Sequence, residues 1–561
     1  MKKLISVTVL ITVVLVILLS GCSQATTTAT FAPTTTQTQR PTHTTSATTT
    51  RPPTTTTGTI GLSVGGAKDI NNFRENIQNN YLPLPTDITY EGLFYDYYFD
   101  TGMPQESRKL YNPSYSFAVT RDPLSHQTEY YMSVGLNSGL KEEDFARKKL
   151  NLAIVLDVSG SMSEEYNQYY YDNLGHQRDI LAEEGIMHRT KIESATNAVA
   201  DIISQLNDDD RLAIVTFNSD ASVFRSMKAV RYEEMDDLVD DILDLRAGGN
   251  TNMSAGIEKG TKELRNVYRS DSYEYENRII FLTDAQPNTG DLSASGMMGM
   301  VRKNAESHIY TTFIGIGVDF NSQLIDEITK VKGANYYSVH SPREFGERVN
   351  EEFEYMVTPL IFNVRLNFES NGWRIEKVFG SPEADQSTGE LMKINTLFPS
   401  KSVGGETKGG LVLLKLRKTS SRPGEEVYLR VSYEDRNGRN DVSEQIIVLE
   451  SQSPEYFDNS GIRKGILLTR YAALIKNWLA DEYQYVHQSK PWQPSVREDT
   501  GITIPAESFL SQWERQSLPL KVYDQYKPIF REFSRYFEEE MYATDDNNLD
   551  QELEVLDILS R

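Results

Sequence analysis

A single cysteine in 561 residues, Cys22, can close no disulfide within the chain and offers no thiolate cluster to a metal. Stability must come from ordinary apolar cores, for which several hundred residues are ample. Histidine is scarce as well. The seven present, at 43, 126, 176, 188, 308, 340 and 487, show no HExxH or other ligand spacing. Basic charge is short: 57 Lys and Arg against 80 Asp and Glu leave a formal charge of −23. Such a surface repels phosphate backbones, so nucleic acid is not an expected partner. It does not prevent attachment to another acidic protein through a bridging cation.

The chain opens "MKKLISVTVLITVVLVILLSGCSQ", in which two lysines precede an apolar run from Leu4 to Leu19. A charged start, a short apolar centre and small residues describe an export signal. The run is short for a membrane-crossing helix, which needs about 20 apolar residues. "LSGC" resembles the lipobox of bacterial-type lipoproteins, which implies removal of residues 1–21 and lipid on the Cys22 sulfur. An uncleaved signal anchor is the alternative. Either way the expectation is a membrane-anchored, extracytoplasmic protein, on the cell surface or the periplasmic face. Within 22–59, the stretch from Thr26 to Thr59 is almost devoid of apolar side chains and rich in Thr and Pro. It cannot offset the entropy of ordering and reads as an extended, disordered stalk. At roughly 3 Å per residue it could lift the remainder up to about 100 Å from a membrane.

Periodicity divides the rest. Residues 60–147 mix a short helix ("NNFRENIQNNYLPLP") with strands ("YSFAVTRD", "EYYMSVGLNS") and read as an accessory α+β segment. From 148 to 357 the nearly continuous apolar runs "NLAIVLD", "RLAIVTF", "RIIFLTD" and "TTFIGIG" alternate with amphipathic stretches. Runs of that kind suit strands buried on both faces of a parallel sheet, and the alternation predicts a doubly wound α/β domain. In 358–452 the period falls to two: Phe362, Val364, Leu366 and Phe368, then Val427, Leu429, Val431 and Tyr433, around the turn "RNGR". That predicts an antiparallel, sandwich-like β module. Residues 453–561 return to helical spacing, with Leu467, Tyr471, Leu474, Ile475 and Trp478 on one face.

In an open parallel sheet, ligands bind outside the carboxyl ends of the strands. Three polar clusters fall at or beside such ends: "DVSGS" (Asp157, Ser159, Ser161), "GGNTNMS" (Thr251 after two glycines) and "TDAQPN" (Asp284). An aspartate closing a strand is often only a helix cap. Three clusters in this order are hard to explain as capping.

On these residues, the region from about Leu150 to Tyr355 resembles a von Willebrand factor type A (VWA) domain with all five positions of its metal-ion-dependent adhesion site. The resemblance implies a divalent cation, magnesium first, with manganese or calcium as alternatives. It implies that Ser159 and Ser161 ligate through their hydroxyls, that Thr251 joins directly or through water, and that Asp157 and Asp284 act mostly through bridging waters. A cation held by neutral hydroxyls stays electrophilic and keeps an exchangeable position, which an acidic side chain of a protein or surface ligand can take. The Tyr-rich insertion that follows the first loop, at 164–188, departs from the family pattern. Tyr169, Tyr170 and Tyr171 within it are expected on the rim of the binding face, the alternative being a lid packed on the neighbouring segments.

Cation-dependent binding or adhesion is therefore the expected function, and no enzymatic activity is expected. The alternative is an envelope assembly or sensing component in which the metal site switches conformation. By the resemblance, the last helix of the domain, around "REFGERVNEEFEYM", would carry that change to the β module. A metal-assisted hydrolase is disfavoured, because no general base is evident and "VSGSM" lacks the GxSxG spacing of a nucleophile elbow.

Overall fold

The strand Lys149–Asp157 shows how the sequence builds the centre of the molecule. Leu150, Leu152, Ile154 and Leu156 enter one apolar cluster, while Ala153 and Val155 enter another on the opposite face. Helices Lys191–Ser204, Met235–Leu243 and Pro342–Val357 cover the first face; Met253–Arg265, Ala294–Glu306 and Ser322–Thr329 cover the second. A strand sandwiched this way has no polar face to alternate with, hence its unbroken apolar run.

The computed structural model describes residues 58–102, 109–172, 174, 189–267, 274–339, 342–383, 391–420, 424–450, 452–486, 495–496, 503–504 and 510–561. The signal peptide, Cys22 and all but the last two residues of the stalk lie outside them, as do 173 and 175–188 of the Tyr-rich insertion. Among the described residues, no helix is long and apolar enough to cross a membrane.

The α/β sheet has seven strands in the order Gly66–Ala67, Asn335–Val339, Ile309–Ile316, Tyr275–Thr283, Lys149–Asp157, Arg211–Phe217 and Ala221–Ala229. All neighbours run parallel except the last pair. From Lys149–Asp157 the chain moves to one side, then returns to Tyr275–Thr283 on the other. The order therefore reverses between the two strands that end at Asp157 and Thr283, the crevice where such sheets bind ligands. Two helices that flank it start on side-chain caps. Thr190 and Glu193 cap Lys191–Ser204 reciprocally, and Asn252 accepts from the Ala255 amide at 3.1 Å. Thr251 thus lies just ahead of its helix rather than inside it.

The segments 60–147 and 358–452, separate in the sequence, share their sheets. A six-stranded sheet runs Asn440–Leu449, Glu425–Asp435, Ile361–Ser370, Leu391–Ser400, Thr59–Val64, Asn137–Lys141. A five-stranded sheet runs Trp373–Phe379, Leu411–Lys418, Thr128–Gly135, Ser114–Arg121, Tyr456–Phe457. One apolar cluster joins the two, with Leu62, Met132 and Val134 from the first segment against Leu366, Val412 and Leu429 from the second. The α/β domain is an insertion into this sandwich. Its two ends meet where Phe145 stacks on Tyr355, ring centres 5.4 Å apart.

Helices Ser460–Val486, Tyr526–Thr544 and Asp550–Ser560 form a further layer, and their core takes in Phe73, Ile77, Leu93 and Phe99 of the first segment. Arg74 Nε donates to the buried Glu552 carboxylate at 3.1 Å and locks the last helix to the first.

Candidate metal centre

Backbone hydrogen bonds knit the three polar loops together. The Gly248 amide donates to Val158 O (2.8 Å) and the Gly160 amide to Gly249 O (2.9 Å). Gly249 makes the turn at a φ of +90°, a region that costs other residues strain. Gly160 is needed for closeness, since a Cβ there would lie 3.1 Å from Gly249 O. The Thr251 amide donates to Asn288 Oδ1 (2.9 Å), which ties the second loop to the third. After Asp284, Ala285 takes a φ of +57° and turns the chain sharply; its amide donates to the Thr283 hydroxyl at 2.9 Å.

All five residues singled out in the sequence are buried here: Asp157, Ser159, Ser161, Thr251 and Asp284. The Ser159 and Ser161 hydroxyl oxygens stand 3.2 Å apart. Both oxygens of Asp157 are engaged, by the Ser159 amide (2.9 Å) and the Thr283 hydroxyl (2.6 Å). Asp157 therefore shapes the first loop and fastens it to the neighbouring strand. Asp284 Oδ2 accepts from Lys191 Nζ at 3.2 Å, while its buried Oδ1 makes no hydrogen bond.

Burial, and then the charge of Asp284, raises the Asp157 carboxyl above the usual carboxylate range. Asp284 is also raised, by burial and Asp319, against the opposing pull of Lys191. Two buried carboxyls raised by burial and by neighbouring negative charge, two hydroxyl oxygens side by side and one carboxylate oxygen without a hydrogen bond suit a hard divalent cation. The donor set fits the expected metal. No group of three or more His, Cys, Asp or Glu gathers into a metal cluster among the described residues. A cation here would depend on hydroxyl oxygens.

Several residues of the site carried no sequence signal. Lys191, fully buried, also pairs with Asp319 at 2.6 Å. Burial disfavours its charge, yet Asp319 and then Asp284 outweigh that and hold the ammonium firmly protonated. Asn288, Gln286 and Glu514 line a small cavity with Ser161, Tyr170, Tyr171, Gly249, Asn250 and Thr251. Glu514 lies 230 residues beyond Asp284 in sequence.

The three tyrosines divide. Tyr170 and Tyr171 line that cavity. Tyr169 is a correction, because it is fully buried. Its hydroxyl bonds Asn76 Oδ1 at 2.5 Å, and its ring packs 4.7 Å from that of Tyr81. The bends along the insertion turn one tyrosine inward and leave the next two at the cavity.

Residues 183–351 match the family model of the von Willebrand factor type A domain. The match includes Thr251 and Asp284 and begins after the Asp157–Ser161 loop, beyond most of the insertion. The chain thus carries a VWA domain with the α/β fold. It resembles "Uncharacterized protein YfbK" of Escherichia coli at 26% identity, over 30% of this chain and 29% of that one. It also resembles inter-alpha-trypsin inhibitor heavy chain H2 of Mesocricetus auratus at 19% identity, over 34% of this chain and 20% of that one. The matched region therefore spans under a third of either relative. Among solved structures, a von Willebrand factor type A protein from Catenulispora acidiphila is similar at a TM-score of 0.39 and 13% identity, over 73% of this chain and 96% of that one.

Proposed function

We propose that this protein binds a partner's acidic side chain through a divalent cation, magnesium by preference, held by Asp157, Ser159, Ser161, Thr251 and Asp284. The observation that carries this reading is the buried Asp284 carboxylate, close to the Ser161 hydroxyl and with its Oδ1 making no hydrogen bond, together with Ser159 and Ser161 hydroxyls 3.2 Å apart. A buried carboxylate oxygen without a partner is costly, and a cation in that gap removes the cost. When bound, the cation supplies an exchangeable coordination position. The chain's own residues do the rest. Asp157 holds Ser159 and the first loop in place, Asn288 fixes the backbone of Thr251, and Lys191 balances the negative charge beneath.

The role is binding, not turnover. It accords with a lipid on Cys22, a Thr/Pro-rich stalk over residues 22–59 and display outside the cytoplasm, which belong to the same proposal. Selection of short peptides on the full-length protein tests it. Sequences containing Asp or Glu should be enriched in Mg²⁺, and the enrichment should disappear in EDTA and with Asp157→Ala. Enrichment that survives both would overturn the reading.

A further inference from the structure

The cavity beside Ser161 and Thr251 is lined in part by the C-terminal region of the protein itself. Residues 511–517 cross from the third loop to the Tyr-rich insertion, anchored at each step. The Ser511 hydroxyl donates to Pro287 O (2.9 Å) and Trp513 Nε1 to Leu292 O (2.7 Å). Asn321 Nδ2 donates to Trp513 O (2.9 Å), and the Trp513 ring is buried in the core beneath the sheet. The Arg515 amide donates to Gln286 Oε1 (3.1 Å) and its guanidinium to Phe320 O (2.9 Å). The Ser517 hydroxyl donates to Asp172 Oδ1 at 2.8 Å. Trp513 and Arg515 bind the flanking loops, and Glu514 between them lines the cavity.

Its carboxylate is held there deliberately. Asn288 Nδ2 (2.9 Å) and the Tyr171 hydroxyl (3.0 Å) donate to Oε1, and the Ser511 amide (2.7 Å) donates to Oε2. Asn288 is the same side chain whose Oδ1 fixes the Thr251 amide. One amide group therefore joins Glu514 to the metal loop. Fixed positive charge nearby comes from Lys191 and from Arg515, which interacts with Tyr169, Asp87 and Asp319. Lys191 serves Asp284 and Asp319, while neither Asp157 nor Glu514 has a cationic partner among the described residues. An additional carboxylate beside such a cluster repels it unless positive charge sits between them.

We propose that Glu514 is an internal ligand of the cation, directly or through one water, and occupies the coordination position that a partner's carboxylate would take. The cavity, of about 100 Å³, opens in part to solvent, so a carboxylate arriving from outside would meet that of Glu514 at the cation. The protein as folded is thus self-capped. A partner must displace the Glu514 carboxylate, which makes its apparent affinity depend on how readily that side chain leaves. The inference rests on the proposed cation site and adds to it a competitor built into the chain.

Water-proton relaxation with Mn²⁺ as probe, on the full-length protein, tests it. Wild type should bind Mn²⁺ with few exchangeable inner-sphere waters and respond little to added acetate. Glu514→Gln keeps the shape and the acceptor for Asn288 and Tyr171 but removes the charge and the acceptor for the Ser511 amide. It should bind Mn²⁺ about tenfold more weakly, relax water faster, and become sensitive to acetate; Glu514→Asp should restore part of the wild-type behaviour. Circular dichroism checks that the variants fold, and Asp157→Ala is the control for the cation site. Absence of Mn²⁺ binding in wild type would remove the cation site and the internal ligand together. Binding that Asp157→Ala abolishes but that is identical in wild type and Glu514→Gln, in affinity, relaxivity and acetate response, would leave the site standing and overturn the internal ligand alone.

Discussion

Lys191 sits beneath the candidate site with its charge wholly out of water, and the two aspartates it serves come from the loops after two neighbouring strands of the sheet. Replacing it with methionine fills the same space but leaves Asp284 and Asp319 as buried anions. Loss of one partner from such a pair costs about 3–5 kcal/mol. Lys191→Met should therefore unfold at lower denaturant concentration in EDTA, and Mg²⁺ should stabilise it more than it stabilises wild type, because the cation then meets an uncompensated charge. An equal Mg²⁺ effect on both would show that Lys191 does not share the site's electrostatics. The five oxygen-bearing residues were legible because each follows a strand or a glycine pair at a fixed spacing. Lys191, Asp319 and Glu514 were not. A lysine opening a helix ordinarily reads as a solvated residue, and a glutamate in the C-terminal region meets the site only through the tertiary fold. Tyr169 was misassigned for a related reason, since three consecutive tyrosines look alike until the backbone turns one of them inward.

At the scale of elements, the short helix Tyr90–Tyr95 carries a buried acid in its first turn. Thr89 caps it by accepting from the Gly92 amide at 3.0 Å. Burial, and then Asp326, pushes the Glu91 carboxyl up to about 7. Its folded pKa lies above its ordinary value, so the stability it contributes is full at low pH and is lost as pH rises through about 7. A displacement of that size corresponds to about 3 kcal/mol. Glu91→Gln should match wild type in urea at pH 4.5 and exceed it at pH 8; a difference that does not vary with pH would contradict this. That helix was not read from the sequence, whereas elements with a sustained period were. The period-two strands of 358–452 and the helical faces after 453 follow from local spacing alone, and their inward residues Val364, Leu366, Val427, Leu429, Leu467 and Trp478 are buried. Their pairing was not readable, because Thr59–Val64 and Leu391–Ser400 lie side by side across more than 300 residues of intervening chain.

At the scale of the molecule, a sandwich and its helical layer carry a VWA domain as an insertion, and the C-terminal region returns to line, through Glu514, the cavity beside Ser161 and Thr251. Arg74 and Glu552 close the circuit at the far end. Arg74→Met should lower the unfolding midpoint followed by circular dichroism and speed hydrogen exchange in 550–560. Binding of Mn²⁺ in the folded state should be unchanged, because the metal loops rest on other contacts. A parallel loss of Mn²⁺ affinity would show the two ends to be coupled. The central claim is that hydroxyl oxygens from one loop, with Thr251 and Asp284 from two others, hold a divalent cation. Titration calorimetry of Mn²⁺ into the full-length protein tests it most directly, with a Ser159→Ala, Ser161→Ala double variant whose fold is checked by circular dichroism. The expected result is one bound Mn²⁺ per wild-type chain and none in the folded variant. Equal binding in both, or none in wild type, would contradict the claim.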